Sequence, residues 1–133
     1  MDTEVAKLER FNLPYVVVEF GTIQEQMDAI ELIGQVIGRT EEALTYNRYY
    51  QKQIDFVSSR VTDIPDDEKV RVYHSVNEAA RTDAPGTLPA EWTVLTGVLN
   101  VSVGEPLRFH DNKYFASLEQ IYVWDPDVII CNQ

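Results

Sequence analysis

The chain has 133 residues, with 22 Asp and Glu against 11 Lys and Arg, for a formal net charge of -11. That length is one domain or a piece of a larger one, and at 44% apolar and 25% charged residues it excludes wholesale disorder. The acidic balance argues against a nucleic-acid backbone or an anionic membrane surface as main partner, because both need clustered Lys and Arg, and no apolar run reaches the roughly 20 residues of a membrane-spanning helix.

Asp2 to about Phe11 reads as a short helix with Val5, Leu8 and Phe11 on one face. Pro14 opens a nearly continuous apolar run, Tyr15-Val-Val-Val-Glu-Phe20, which predicts a strand. Gly21 turns the chain, and Thr22 with Glu25 has the capping-box spacing that starts a helix. Ile23, Met27, Ile30, Ile33 and Ile37 form its apolar face, Gly34 loosens its last turns and Gly38 ends it. Thr40 is the expected cap of a long helix to Val61, roughly 30 Å at about 1.5 Å per residue, with Glu41 and Glu42 favoured at its positive end. Its stripe of Ala43, Tyr46, Tyr50, Ile54, Val57 and Val61 predicts packing on both sides, with Tyr46, Tyr49 and Tyr50 as packing residues.

After the polar turn at Pro65-Asp-Asp-Glu, Val70-Arg-Val-Tyr-His-Ser75 has strand composition. A loop runs from Val76 to Pro89. Pro89 then sits at or just before the first position of a helix reaching about Leu99. Asn100 to Ala116 is a second loop. Ser117 caps a short helix, with Gln120 three residues on, and Pro126 stops it. Val128-Ile-Ile-Cys131 is the apolar run of a strand covered on both faces. Its one cysteine, Cys131, is therefore expected to be a small buried hydrophobe rather than a reactive thiol. Alternating strands and helices predict an α/β fold: a partial three-layer αβα parallel sheet, a Rossmann-like lobe, with a long lobe-spanning helix. The long helix divides the chain into the end of one lobe (1–39), the spanning helix (40–64) and the start of a second lobe (65–133). The final strand normally feeds another element, so the chain is expected to be part of a longer protein.

Several segments, in this order, resemble one family. Leu13-Pro-Tyr-Val-Val-Val18 is similar to the last strand of a first lobe, and Ile30-Glu-Leu-Ile-Gly-Gln-Val-Ile-Gly-Arg-Thr-Glu-Glu-Ala43 to the passage into a lobe-spanning helix. Val70-Arg-Val-Tyr73 resembles the first strand of a second lobe. Leu95-Thr-Gly-Val-Leu-Asn-Val101 is similar to a helix ending usually written with a glycine pair. Ser117-Leu-Glu-Gln120 followed by Trp124-Asp-Pro-Asp-Val-Ile-Ile130 is the most specific segment. Together they resemble the two-lobed, class III substrate-binding proteins of ABC importers, which handle ferric siderophores, haem, cobalamin and related metal species.

The resemblance implies an extracytoplasmic component that carries a metal chelate or corrinoid to an ABC permease in the membrane, without enzymatic activity or cofactor. It implies that Glu119 docks onto the permease, since in this family one glutamate on each lobe enters an arginine pocket there. The sequence shows no signal-peptide pattern, and an export signal is expected upstream of Met1 in the intact protein. A carboxylate in a helix's first turn is exposed and able to pair bidentately with arginine, although it equally serves its own helix dipole.

In open α/β sheets ligands sit beyond the carboxyl ends of the strands. His74, Asn77, Arg81 and Thr82, at the end of the Val70 strand and in the loop after it, are candidate ligand-binding residues. Trp92 and Tyr114 are further candidates, offering flat faces to a macrocycle or aromatic chelator. The alternative for the loop residues is plain solvation, and for Trp92 a place in the core. His74 and His110 lack the short spacing of a metal site, so no metal ligands are expected. No nucleophile elbow, phosphate loop or dinucleotide fingerprint is present. An alternative reading is a stand-alone intracellular α/β interaction or regulatory domain, which requires a sheet without an open apolar edge. A small metal-dependent enzyme is a third reading, resting on His74, His110 and scattered carboxylates. Three strands are few for an independent parallel sheet, so either a homodimer through the edge of the last strand or an exchange of elements with a second copy is expected.

Overall fold

The computed structural model describes residues 2–132. Its helices are α1 (Asp2–Arg10), α2 (Ile23–Val36), α3 (Thr40–Val61), α4 (Leu88–Leu95) and α5 (Leu118–Trp124), with a 3-10 turn at Asp66–Glu68. Its strands are β1 (Arg71–Val76), β2 (Arg81–Thr82), β3 (Leu99–Asn100), β4 (Arg108–His110), β5 (Lys113–Phe115) and β6 (Val128–Asn132).

A parallel sheet in the order β3-β1-β6 is the frame. β1 pairs with β6 from Val72–Val128 through Val76–Asn132, and with β3 at Arg71–Leu99 and Val72–Asn100. Helices lie on both faces. Tyr73 points to α5, where its ring meets Trp124 at 6.1 Å, and His74 points the other way, to Trp92 of α4 at 5.5 Å. Tyr73, Val101, Ala116, Ile121 and Trp124 form the buried apolar core. The expected α/β lobe with a parallel sheet and a 22-residue helix is what the structure shows.

The Trp124-Asp-Pro-Asp127 turn has a physical explanation. Asp125 adopts φ 46°, which ends α5 in the left-handed region. The Arg71 guanidinium donates to the Trp124 carbonyl, one of the orphan acceptors of the helix end, and Asp127 Oδ2 accepts from Arg71 N at 2.8 Å. The turn therefore fixes β6 beside β1.

α2 starts with the expected box: Thr22 Oγ1 accepts from Glu25 N and Glu25 Oε2 from Thr22 N. Gly34 does not loosen α2. A Cβ there would stand 2.4 Å from the Ala43 Cβ, so glycine is what lets α2 and α3 approach. Across the same seam, Asn47 donates to the Met27 carbonyl at 2.8 Å and Tyr50 to Gln26 at 3.1 Å.

Other expectations are corrected. Tyr15–Phe20 forms no strand: no neighbour among the described residues offers it a ladder, and Tyr15, Val16, Val17 and Phe20 stand exposed. Arg39, not Thr40, occupies the cap position of α3, without a side-chain bond. Tyr46 and Tyr49 are exposed rather than packed. α4 stops at Leu95, because Gly97 turns at φ 76° and its bare Cα fits against Val61 at the end of α3. The loop expected over Asn100 to Ala116 holds a hairpin of β4 and β5, in a second, antiparallel sheet ordered β2-β5-β4. Asp111 and Asn112, both at positive φ, make its two-residue turn. Cys131 is exposed, its sulfur accepting from Ser75 Oγ at 3.2 Å, because β6 is covered on neither its outer edge nor most of its faces.

Candidate functional site

Glu119 lies in the first turn of α5. The helix begins where Ser117 Oγ accepts from Gln120 N at 3.1 Å. The Glu119 carboxyl is held below the usual carboxylate range, first by its own backbone N–H and then by the Ser117 hydroxyl. It is fully ionised at neutral pH, and no salt-bridge partner is present among the described residues. Around it on the outer face stand Leu118, Tyr122 and Val123, the last two 85% and 77% exposed. Ile121 and Trp124 turn inward and anchor the helix on the core. The result is an exposed carboxylate in an apolar surround, a group that can pair with a guanidinium.

The six expected ligand residues do not all reach the surface. His74 and Thr82 are buried rather than exposed on the loop. His74 Nδ1 is bonded to Asp83 Oδ2, beneath α4. The Thr82 hydroxyl donates to the His74 carbonyl at 2.8 Å and is 2.9 Å from the Ser102 hydroxyl. Burial pushes the Asp83 carboxyl up, against the opposing pull of His74. Trp92 is half-buried, edge-on to the His74 ring. Tyr114 is half-buried too, paired in register with Thr82, its ring 4.9 Å from that of Phe109 and tilted 46° to it. Arg81 is half-buried, its strand neighbour Phe115. Asn77 is exposed at φ 63° and borders a hollow of about 400 Å³ with Tyr73, Ile129 and Cys131.

The sequence reading missed two features. One is the buried polar network that continues from Thr82 through Ser102 and Asn100 to Thr93. The alternation Asn100-Val-Ser102 was its only signal. The other is an open groove of about 520 Å³ where α2, α3 and α4 meet, lined among others by Ile23, Gln51, Ile54, Glu91 and Val94. None of the six expected ligand residues lines it. Its residues come from three separate segments, so no local pattern announces it. Among the described residues no group of three or more His, Cys, Asp or Glu side chains is arranged to hold a metal ion. His110 lies 3.3 Å from Asp111, well exposed.

No family model matches the sequence, and no curated protein matches it. Solved structures do. The class they define is the solute-binding proteins of ABC transporters. The molybdate periplasmic binding protein MolA of Haemophilus influenzae is 20% identical with a TM-score of 0.79, over 96% of this chain and 44% of its own. The periplasmic vitamin B12 binding protein BtuF of Vibrio cholerae is 21% identical with a TM-score of 0.73, over 100% of this chain and 50% of its own. A periplasmic solute-binding protein of Veillonella parvula is 23% identical with a TM-score of 0.73, over 97% of this chain and 38% of its own. At these identities the likeness is one of fold. The chain spans half or less of the length of these structures.

Proposed function

We propose that this chain is a central part of an extracytoplasmic solute-binding protein, which holds a metal complex (iron-siderophore, haem, cobalamin or a related species) between two lobes and delivers it to an ABC permease. The observation that carries this reading is the run of fold likeness. It extends over 96–100% of the chain, in proteins described as binding molybdate and vitamin B12. In this reading residues 1–39 are the end of the first lobe, 40–64 the spanning helix and 65–133 the first part of the second lobe. In that frame the outer face of α5 meets the permease, with Glu119 entering an arginine pocket and Tyr122 and Val123 packing beside it. Asn77, Arg81, Trp92 and Tyr114 border the ligand directly, and His74 and Thr82 support that border from beneath. The open outer edge of β6 and the exposed Val128 and Ile129 favour this reading over a stand-alone intracellular domain, which would bury them.

The test is Glu119→Arg in the intact protein. Uptake of a panel of haem, vitamin B12, molybdate and a ferric siderophore is measured beside direct binding of the same solutes. The expected outcome is lost uptake with unchanged affinity for whichever solute binds. Uptake that survives removes the docking role, and binding of none of the panel removes the ligand class.

A further inference from the structure

Glu91 does something that its position in α4 alone does not require. Its Oε2 accepts a hydrogen bond of 2.7 Å from Ile23 N, 68 positions earlier, at the first residue of α2. The reason lies in what the local sequence leaves undone. The capping box satisfies Thr22 N and Glu25 N, and leaves the N–H of Ile23 without a partner from its own helix. A carboxylate is the favoured group at that positive end. Here it comes from the other side of the long helix. Among the described residues it is the hydrogen bond that passes directly from segment 1–39 to segment 65–132.

The surroundings give that bond leverage. α2 is seated tightly on α3 where Gly34 meets Ala43, and the Asn47 and Tyr50 side chains bond across the same seam. The sheet-bearing segment is joined to α3 through residues 62–65 and through the fit of Gly97 on Val61. Between α2 and α4 the space is the open groove of about 520 Å³, with Ile23 on one wall and Glu91 on the other. An open groove supplies little packing to hold its own width. We infer that Glu91 is a latch, which fixes the angle of the sheet-bearing segment to the α2–α3 pair by binding the start of α2. This inference goes beyond the proposed function and stands without it.

The test uses two variants that delete opposite ends of one bond. Glu91→Ala removes the acceptor. Ile23→Pro removes the donor and leaves the helix start intact, because proline is well tolerated at the first helical position and Thr22 is already extended at φ -132°, ψ 168°. Nitroxides are placed at the exposed Gln35 and Lys113 in a Cys131→Ser background, and their distance distribution is measured by pulsed electron resonance. The expected result is one narrow distribution for the parent, at least about twofold broader in either variant, with the double variant no broader than the singles. Amide exchange gives a second readout. In Glu91→Ala the Ile23 N–H loses at least about tenfold in protection, while the Tyr73 and His74 amides of β1 keep theirs. Narrow distributions in both variants overturn the latch. So does a double variant broader than either single one, because the two residues would then act separately.

Discussion

β1 and β6 are neighbouring parallel strands of similar length, yet only β1 is buried. Tyr73 and His74 in β1 are each 1% exposed, whereas Val128 and Ile129 in β6 are 45% and 53% exposed. Composition does not separate them: Val-Ile-Ile-Cys is the more apolar run. What separates them is neighbours. β1 has β3 on one side, β6 on the other, α5 on one face and α4 on the other. Among the described residues β6 has β1 on one side and no strand on the other. Segment 15–20 carries the contrast further, since it is apolar and pairs with nothing among the described residues. Apolar composition states what a segment can bury. The partners decide whether it does.

The largest expected effect tests that directly. Trp124→Ala empties the covered side of β1 and is expected to cost about 3–5 kcal/mol. Ile129→Ala, on the uncovered strand, is expected to cost less than about 1 kcal/mol, because little area is removed from water there. Urea unfolding of both variants decides it. Equal losses would mean that β6 is covered in solution, by a second copy of the chain.

A smaller effect lies under the other covered face. The Asp83 carboxyl is raised by burial, so in the folded state it holds its proton more readily than in the unfolded chain. Its titration therefore contributes stability that is complete below about pH 4 and is lost as the pH rises through the raised value. Asp83→Asn removes that titration. It is expected to cost about 1–3 kcal/mol at the acid end, with the gap to the parent narrowing as pH rises towards 7. Urea midpoints at pH 4, 5, 6 and 7 measure this. A gap that widens with pH would show that the attraction of His74 outweighs the burial of the carboxylate.

Much of the architecture was legible because it rests on short-range chemistry. The Thr22–Glu25 box, the Ser117 cap, the Asp-Pro stop and the β1 run each act within a few residues. What could not be read depends on distant partners. The burial of His74 comes from Asp83 and Trp92, and the groove and the Glu91 bond come from segments more than 20 residues apart. Gly34 was misread for the same reason: its role is visible only once Ala43 of the facing helix lies against it. The hairpin at Asp111-Asn112 had a local signal, two turn-forming residues between Phe109 and Tyr114, but strands of three residues are too short for alternation to stand out. The docking role proposed for Glu119 rests on resemblance to a family rather than on a local pattern. The residue's exposure and its apolar surround emerge only when α5 is seated on Ile121 and Trp124.

The smallest expected effect on stability is also the sharpest test of the uncovered strand. Among the described residues the outer edge of β6 has no strand neighbour, and it lies beside exposed Val128 and Ile129. Such an edge is a template for a second strand, and a charged residue on it is the usual safeguard. The chain is therefore expected to self-associate with rising concentration, and Ile129→Lys to hold it monomeric while changing stability by about 0.5 kcal/mol or less. Light scattering across a concentration series, on parent and variant, reads this. A parent that stays monomeric at the highest concentration would contradict it. The net charge of -11, repelling a second copy, would then outweigh the pairing of one five-residue edge.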